Sequence, residues 1–483
     1  MEIQKTKSVC PKCKEVIGAV LSNKDNKVIM EKRCEKHGTF EEIIYDTKQF
    51  ERVMRCMKYV SKSKNIPACP YDCENCPGHP TQTLLAIMDV TNRCNLNCRY
   101  CFANSARCGY LYEPSLPQVK DMLSAIRKRQ PTCGAILFSG GEPTIRDDLP
   151  EIVRMARDTG FGIQLLATNG YRLANDLEYV KKLNDAGLYL LYLSFDGLSD
   201  ATNHEKRNHL LIDKLIGNCR RSETQMVLVP TISRENSHEA WKLIKFAAGN
   251  MDVIRGVNFQ PLSFCGRMEP RERDRLRYTI SDLSSDIEKQ SEGVLKEEDF
   301  YPIPAIIPFQ KMLCELGGVE MPLFNIHPLC GRATYLFLDE GRLVPITKVM
   351  DVPQLLSLFD LWSERDKSKG GLSGSLSAVG MINQTKRFVH LDKMPKKSNA
   401  YKLLAQLILK RDLKSAGEFQ ANALFIGIMH FQDCYNMDLE RLQRCGIHYV
   451  TPNNSLIPFC AYNPLGYRER IEAKFSVPLG EKK

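Results

Sequence analysis

A chain of 483 residues is long enough for two or three packed domains, and its 43% hydrophobic and 26% charged residues are those of an ordinary globular protein. The polar stretch from Met1 to Cys10 does not read as a secretory signal, and no apolar run approaches the ~20 residues a membrane span needs, so the expected compartment is the cytoplasm. The net charge of +10 fits nucleic acid, anionic lipid or a phosphorylated substrate equally well and selects none of them.

The 19 cysteines decide more. In a reducing compartment clustered cysteines point to metal before disulfides. Three regions are expected: a short Cys-rich one at 1–82, alternating strand and helix patterns at 83–297, and a less regular C-terminal cap at 298–483 with further cysteines. In the first, Cys10-x2-Cys13 and Cys34-x2-His37 form two knuckles of a ribbon or rubredoxin-like site for one zinc or iron ion, with Cys56 as the alternative to His37. Cys69-x3-Cys73-x2-Cys76 then reads as an auxiliary iron–sulfur site, with His79 or Cys133 as fourth ligand and a structural zinc as the alternative.

Strand-length apolar runs follow at Leu84–Val90, Ala135–Phe138, Ile163–Ala167, Tyr189–Phe195, Met226–Val229 and Gly256–Phe259. Helical stripes lie between them, such as Ile152, Val153 and Ala156, then Leu177, Val180 and Leu183. Strands alternating with helices imply a parallel α/β sheet. A partial (β/α)6 barrel is expected, with a doubly wound open sheet as the alternative. Either places the active face at the C-terminal ends of the strands.

Cys94-x3-Cys98-x2-Cys101 stands on that face, after the first strand. Three thiolates on a compact loop hold three irons of a [4Fe-4S] cubane. The fourth iron is left open to chelate the amino and carboxylate groups of a methionine, while Tyr100 and Phe102 shield the cluster from water. The second strand ends in Ser139-Gly140-Gly141-Glu142-Pro143. Its glycines let backbone approach a ligand closely, and Glu142 offers a carboxylate to an ammonium group. These elements, in this order on consecutive strands, resemble the radical S-adenosylmethionine (SAM) superfamily. The resemblance implies that Gly140, Gly141 and Glu142 hold the methionine moiety of SAM. It places Thr168, Asn169, Ser194 and Asp196 near its ribose and carboxylate.

In the third region Cys330, Cys445 and Cys460 are candidate ligands of a further auxiliary cluster, which Cys314 or Cys434 could complete, the alternative being buried apolar cysteines. Residues 386–414 carry nine Lys or Arg around an apolar stripe of Leu403, Leu404, Leu407 and Ile408. That pattern suits peripheral contact with an anionic membrane or a solvated face over a core helix.

The whole chain resembles the archaeal tetraether lipid synthase family. The matching stretches include Cys10-Pro-Lys-Cys13, Cys34-Glu-Lys-His37, Cys69-Pro-Tyr-Asp-Cys73-Glu-Asn-Cys76, Val90-Thr-Asn-Arg-Cys94, Gly140-Gly-Glu-Pro143, His327-Pro-Leu-Cys330, Cys445-Gly-Ile-His448 and Ile457-Pro-Phe-Cys460. One position departs: Ala305 stands where relatives carry a cysteine. The resemblance implies reductive cleavage of SAM to a 5′-deoxyadenosyl radical and C–C coupling of lipid methyl termini. It also implies an electron donor such as ferredoxin or flavodoxin and no nucleic acid. A lipid substrate requires an apolar channel reaching Cys94–Cys101. Peptide modification is the second enzymatic reading. A nonenzymatic zinc-ribbon or Fe–S protein that binds nucleic acid is the reading from another class, and it leaves Gly140–Pro143 unexplained.

Overall fold

Alternation of buried and exposed residues builds the first 46 residues into an antiparallel sheet: β1 Glu2–Val9, β2 Val16–Lys24, β3 Lys27–Cys34 and β4 Gly38–Asp46. Asp25 and Asn26 join β2 to β3 with φ of 51° and 61°, the left-handed pair that a two-residue hairpin needs. The computed structural model describes residues 1–62, 69–73, 79–317, 320–363, 380, 382–393, 406 and 422–478. Cys76 and most of the basic stretch 386–414, including its apolar stripe, lie outside the described residues.

The remaining strands are β5 Leu85–Thr91, β6 Tyr110–Leu111, β7 Ala135–Gly140, β8 Ile163–Thr168, β9 Leu190–Leu193, β10 Gln225–Leu228, β11 Thr231–Ile232, β12 Ile254–Pro261, β13 Tyr301–Pro302, β14 Gly331–Asp339, β15 Arg342–Pro345, β16 Leu424–Met429, β17 Ile447–Val450, β18 Leu456–Pro458 and β19 Val477–Pro478. All six expected barrel strands are present: β5, β7, β8, β9, β10 and β12 run parallel in chain order. No strand order reverses, so the sheet is of the partial-barrel type rather than doubly wound. The helical stripes fall on helices Leu149–Asp158 and Leu177–Ala186.

The C-terminal region differs from the expected cap. It extends the same sheet at both edges: β16 pairs in parallel with β12, and β17 pairs in parallel with β5. β14 and β18 then close on them antiparallel. Alternate residues face opposite sides of a strand. Ala86, Met88 and Val90 pack outward with the helices, whereas Ile87, Leu137 and Leu165 face inward with Phe431, Tyr449, Ile457 and Phe459 of the C-terminal segment. Ile163, Ala167, Leu190 and Tyr192, on the inner face of the central strands, stay partly exposed. The inner wall is therefore apolar and incompletely covered.

The ribbon is wired into this body. Ser8 Oγ donates to the Met437 carbonyl at 2.5 Å, and the buried Lys32 ammonium donates to Ser8 Oγ at 3.0 Å and the Cys434 carbonyl at 2.7 Å. Burial pushes the Lys32 ammonium down to about 8. Arg277 bridges Glu42 of β4 to Asp433, with all three side chains buried.

Candidate active site

Cys94, Cys98 and Cys101 lie on the loop after β5, each half-buried. The Leu96 amide donates to Cys94 Sγ at 3.4 Å. Burial pushes the Cys94 thiol up to about 12 and the Cys98 thiol up to about 11, so they stay protonated until a metal displaces the protons. Among the described residues, only Cys10, Cys13, Cys34 and His37 bring their ligand atoms within 4.8 Å of one another. The three loop thiols stand too far apart for one ion. Three soft donors at wider spacing, with a hydrogen-bonded sulfur, fit a cubane.

The two glycines let one stretch of backbone approach another. A Cβ on Gly140, whose φ is +127°, would lie 2.0 Å from the Thr91 carbonyl oxygen, and one on Gly141 would lie 2.1 Å from that of Arg93. What comes close is the backbone of the cluster loop itself. The Gly141 and Glu142 amides donate to Thr91 O at 2.7 Å and Arg93 O at 2.8 Å, stitching the β7 turn to the root of the loop.

Glu142 is also engaged within the protein. Its carboxylate is 2% exposed. It accepts from the Thr144 amide (3.1 Å), Thr144 Oγ1 (2.6 Å), Thr168 Oγ1 (2.8 Å) and the Asn169 amide (2.7 Å). Burial pushes its carboxyl up, and these donors oppose the shift. It staples the turns after β7 and β8 together. Glu142→Gln sets an amide NH2 against those donors at a cost of about 1–3 kcal/mol. We expect the variant's melting temperature and its SAM affinity to fall together. SAM affinity lost with melting unchanged would return Glu142 to direct ligand contact.

Asn169 reaches the cluster loop, donating from Nδ2 to Asn95 Oδ1 at 2.7 Å. The Ser194 amide donates to the Thr168 carbonyl at 2.9 Å. Asp196, expected near the SAM ribose, is buried and occupied. It accepts from Lys206 Nζ at 2.7 Å, the Thr231 amide at 2.9 Å and Tyr100 Oη at 2.5 Å. Its effect is to pin Tyr100 beside Cys101.

The ribbon site assembles as expected. Cys10 Sγ and Cys34 Sγ each lie 3.5 Å from His37 Nδ1, and Cys13 Sγ lies 3.8 Å from Cys34 Sγ. Four such donors suit tetrahedral zinc or iron. Although burial pushes the Cys10 thiol up, hydrogen bonds from the Cys13 and Lys12 backbone bring it down to about 6. Cys56 lies outside this group, and burial pushes its thiol up to about 11.

Cys69 and Cys73 pack against the inner apolar group that contains Cys434 and Cys460. His79 donates Nε2–H to the Cys445 carbonyl at 2.7 Å, and Cys133 is buried at the foot of β7. Cys330, Cys445 and Cys460 come together although 130 residues separate the first from the last. Each thiolate would oppose ionisation of its neighbours, and burial pushes the Cys445 thiol up to about 11. Beside Cys330, the buried Arg441 side chain is 5% exposed and its Nε has no partner, while Asp438 and the Cys330 and Cys460 thiols are the anionic groups that favour its charge. A buried cation with an orphaned N–H fits an anionic centre, which a thiolate-bound cluster is. The turn carrying Ala305 packs against the Cys330 turn, so this set has three thiols. Of the cysteines expected to complete it, Cys434 is held at the ribbon by Lys32, and Cys314 rides on helix Ile307–Gly317, which packs against helix Val352–Ser363.

The Radical SAM superfamily matches residues 88–247, and the HMPTM N-terminal zinc ribbon domain matches residues 2–46. A 7,8-dihydro-6-hydroxymethylpterin dimethyltransferase of Methanocaldococcus jannaschii is 41% identical over 99% of this chain and 96% of its own. An Fe-coproporphyrin III synthase of Methanosarcina barkeri is 27% identical over 50% of this chain and 59% of its own. Among solved structures, SuiB of Streptococcus suis bound to S-adenosylmethionine covers 60% of this chain and 69% of that one, with 14% identity and a TM-score of 0.36.

Proposed function

Because the chain belongs to the radical SAM superfamily, within the family of the M. jannaschii pterin dimethyltransferase, we propose that it methylates a reduced pterin in a SAM-dependent reaction. The observation that carries this reading is the near full-length match to that enzyme, which spans the ribbon, the barrel and the C-terminal strands together. When bound, the [4Fe-4S] cluster supplies the electron that reductively cleaves SAM, drawn from a donor such as ferredoxin or flavodoxin. Cys94, Cys98 and Cys101 would hold it. Tyr100 is fixed beside it by Asp196 and Lys206, and Asn95 is oriented by Asn169. Phe102 stacks on Phe459 at 5.1 Å and keeps water from that side of the loop. Cys69, Cys73 and Cys76, and separately Cys330, Cys445 and Cys460, would hold auxiliary clusters.

One observation favours a second reading, coupling of lipid chains. On the inner face of the central strands the apolar side chains of Ile163, Ala167, Leu190 and Tyr192 stay partly exposed, which suits an alkyl chain better than a polar ring. The lipid activity expected from the sequence is not the activity in the name of the M. jannaschii relative. Among the described residues no helix is long and apolar enough to cross a membrane. Anaerobic incubation with SAM, reductant and either a reduced hydroxymethylpterin or an extracted ether lipid separates the two. Methylated pterin by mass spectrometry is the expected product. Chain-coupled lipid without methylated pterin would replace the first reading by the second.

A further inference from the structure

The loop that follows β12 folds back onto the cluster loop, where Leu262, Phe264 and Met268 pack with Tyr100 and one residue makes the hydrogen bonds. The Arg267 amide donates to the Cys101 carbonyl at 3.0 Å. Its Nη1 donates to the Cys98 carbonyl at 2.7 Å and to Asn97 Oδ1 at 2.9 Å. Its Nε donates to Asn104 Oδ1 at 3.2 Å, and its Nη2 donates to the Ser105 carbonyl. Asn104 and Ala106 flank that carbonyl with φ of 50° and 65°, a left-handed backbone that non-glycine residues hold only at a cost. The preceding Gly266 makes the approach feasible. Its φ is +62°, and a Cβ there would lie 2.3 Å from the Phe102 carbonyl oxygen and 2.4 Å from that of Cys101.

Nothing else among the described residues satisfies the Cys98 carbonyl with a charged donor. Among the described residues no carboxylate forms an ion pair with Arg267, so its positive charge is set against the carbonyls of the cluster loop. Charge-assisted hydrogen bonds are the strong ones, and a [4Fe-4S] centre bound by thiolates is anionic, its potential set by nearby charge and hydrogen bonding. We infer that Arg267 is a positioning residue for the SAM-cleaving cluster: it clamps the loop between Asn97 and Ser105, and its charge raises the cluster's reduction potential. This rests on Cys94, Cys98 and Cys101 holding that cluster.

The test uses the full-length, anaerobically reconstituted protein and its Arg267→Lys and Arg267→Gln variants. The SAM-cleaving cluster is identified as the reduced EPR signal that changes when SAM is added, and its midpoint is read by redox titration. Lysine keeps the charge but cannot bridge Cys98, Asn97, Asn104 and Ser105 at once; glutamine loses both. The expected result is a more negative midpoint in Arg267→Gln and a midpoint close to the parent's in Arg267→Lys. Both variants should lose iron from this site faster on warming. A residue that only shapes the loop would not separate Lys from Gln. A parent-like midpoint in Arg267→Gln overturns the inference, as does loss of the SAM-responsive signal in both variants with the fold intact by circular dichroism. If instead the SAM-responsive signal survives removal of Cys94, Cys98 and Cys101, the underlying assignment fails rather than the role of Arg267.

Discussion

Replacing Cys94, Cys98 and Cys101 together with Ala is expected to abolish 5′-deoxyadenosine formation from SAM and reductant while leaving iron and cubane absorption in the protein. The first half follows from the position of the loop. It sits at the C-terminal end of β5, where the stitched β7 turn, Asn169 and Tyr100 converge, and no other thiol set lies on that turn. The second half follows from separation. Cys69 and Cys73 pack under the C-terminal segment, and Cys330, Cys445 and Cys460 meet beside Arg441. The loop touches that region through Phe102, which stacks on Phe459 and is unchanged in the variant. The variant should fold, because the loop keeps its hydrogen bonds to Arg267, Gly141 and Glu142. The measurement is iron and sulfide content with EPR of the reduced protein, beside a chromatographic assay for 5′-deoxyadenosine. Deoxyadenosine at the parent rate would remove the loop from the chemistry. Iron content near zero would show that the other cysteine sets hold no cluster.

The parallel barrel strands were legible because strands buried on both faces read as unbroken apolar runs, and Ala135–Phe138 and Met226–Val229 are of that kind. The Cys94 loop and the ribbon knuckles were legible because metal ligation fixes short spacings along the chain. What pairs at long range was not. β16 and β17 join opposite edges of one sheet from the far end of the chain, so the C-terminal region looked like a separate cap. Carboxylates were found but not their partners. A sequence shows that Glu142 and Asp196 follow strands, yet not that Thr144, Thr168 and Asn169 reach the first, or Tyr100 and Lys206 the second. Single arginines such as Arg267, Arg277 and Arg441 carry no spacing signal at all. Their importance lies in what surrounds the guanidinium, which only the folded chain provides.

Arg277→Met is expected to cost about 3–5 kcal/mol of stability at neutral pH, the range for removing one partner of a buried ion pair. That is a large share of the ~5–15 kcal/mol that usually separates folded from unfolded domains. Arg277 donates Nε and Nη2 to the two Glu42 oxygens, both at 3.1 Å, and Nη1 and Nη2 to the Asp433 oxygens at 2.8 and 3.1 Å. Its loss leaves two carboxylates buried together, with only Arg273, 3.6 Å from Glu42, and the more distant Lys32 as counter-charge. The pH dependence follows from their present state. Burial pushes Asp433 up, but Arg277 and the amides of Phe264 and Tyr435 hold it below the usual carboxylate range. In the parent, therefore, the stability Asp433 contributes is present above its unfolded value, ~4, and is lost as pH falls through its lower folded value. Burial already pushes Glu42 up despite the arginine. In the variant both carboxyls move above their unfolded values, so the penalty is complete at neutral pH and is relieved as they take up protons. The gap between parent and variant should be widest near pH 7.5 and narrow towards pH 5. Urea midpoints at the two pH values measure it. A gap of the same size at both, or one under ~1 kcal/mol, would mean that the pair is not desolvated in solution. Asp433 also accepts the Phe264 amide at 2.8 Å, three residues before Arg267. The variant should therefore lose iron from the Cys94 loop before it unfolds, because its two clamps, Arg267 on the loop and Arg277 behind it, act in series.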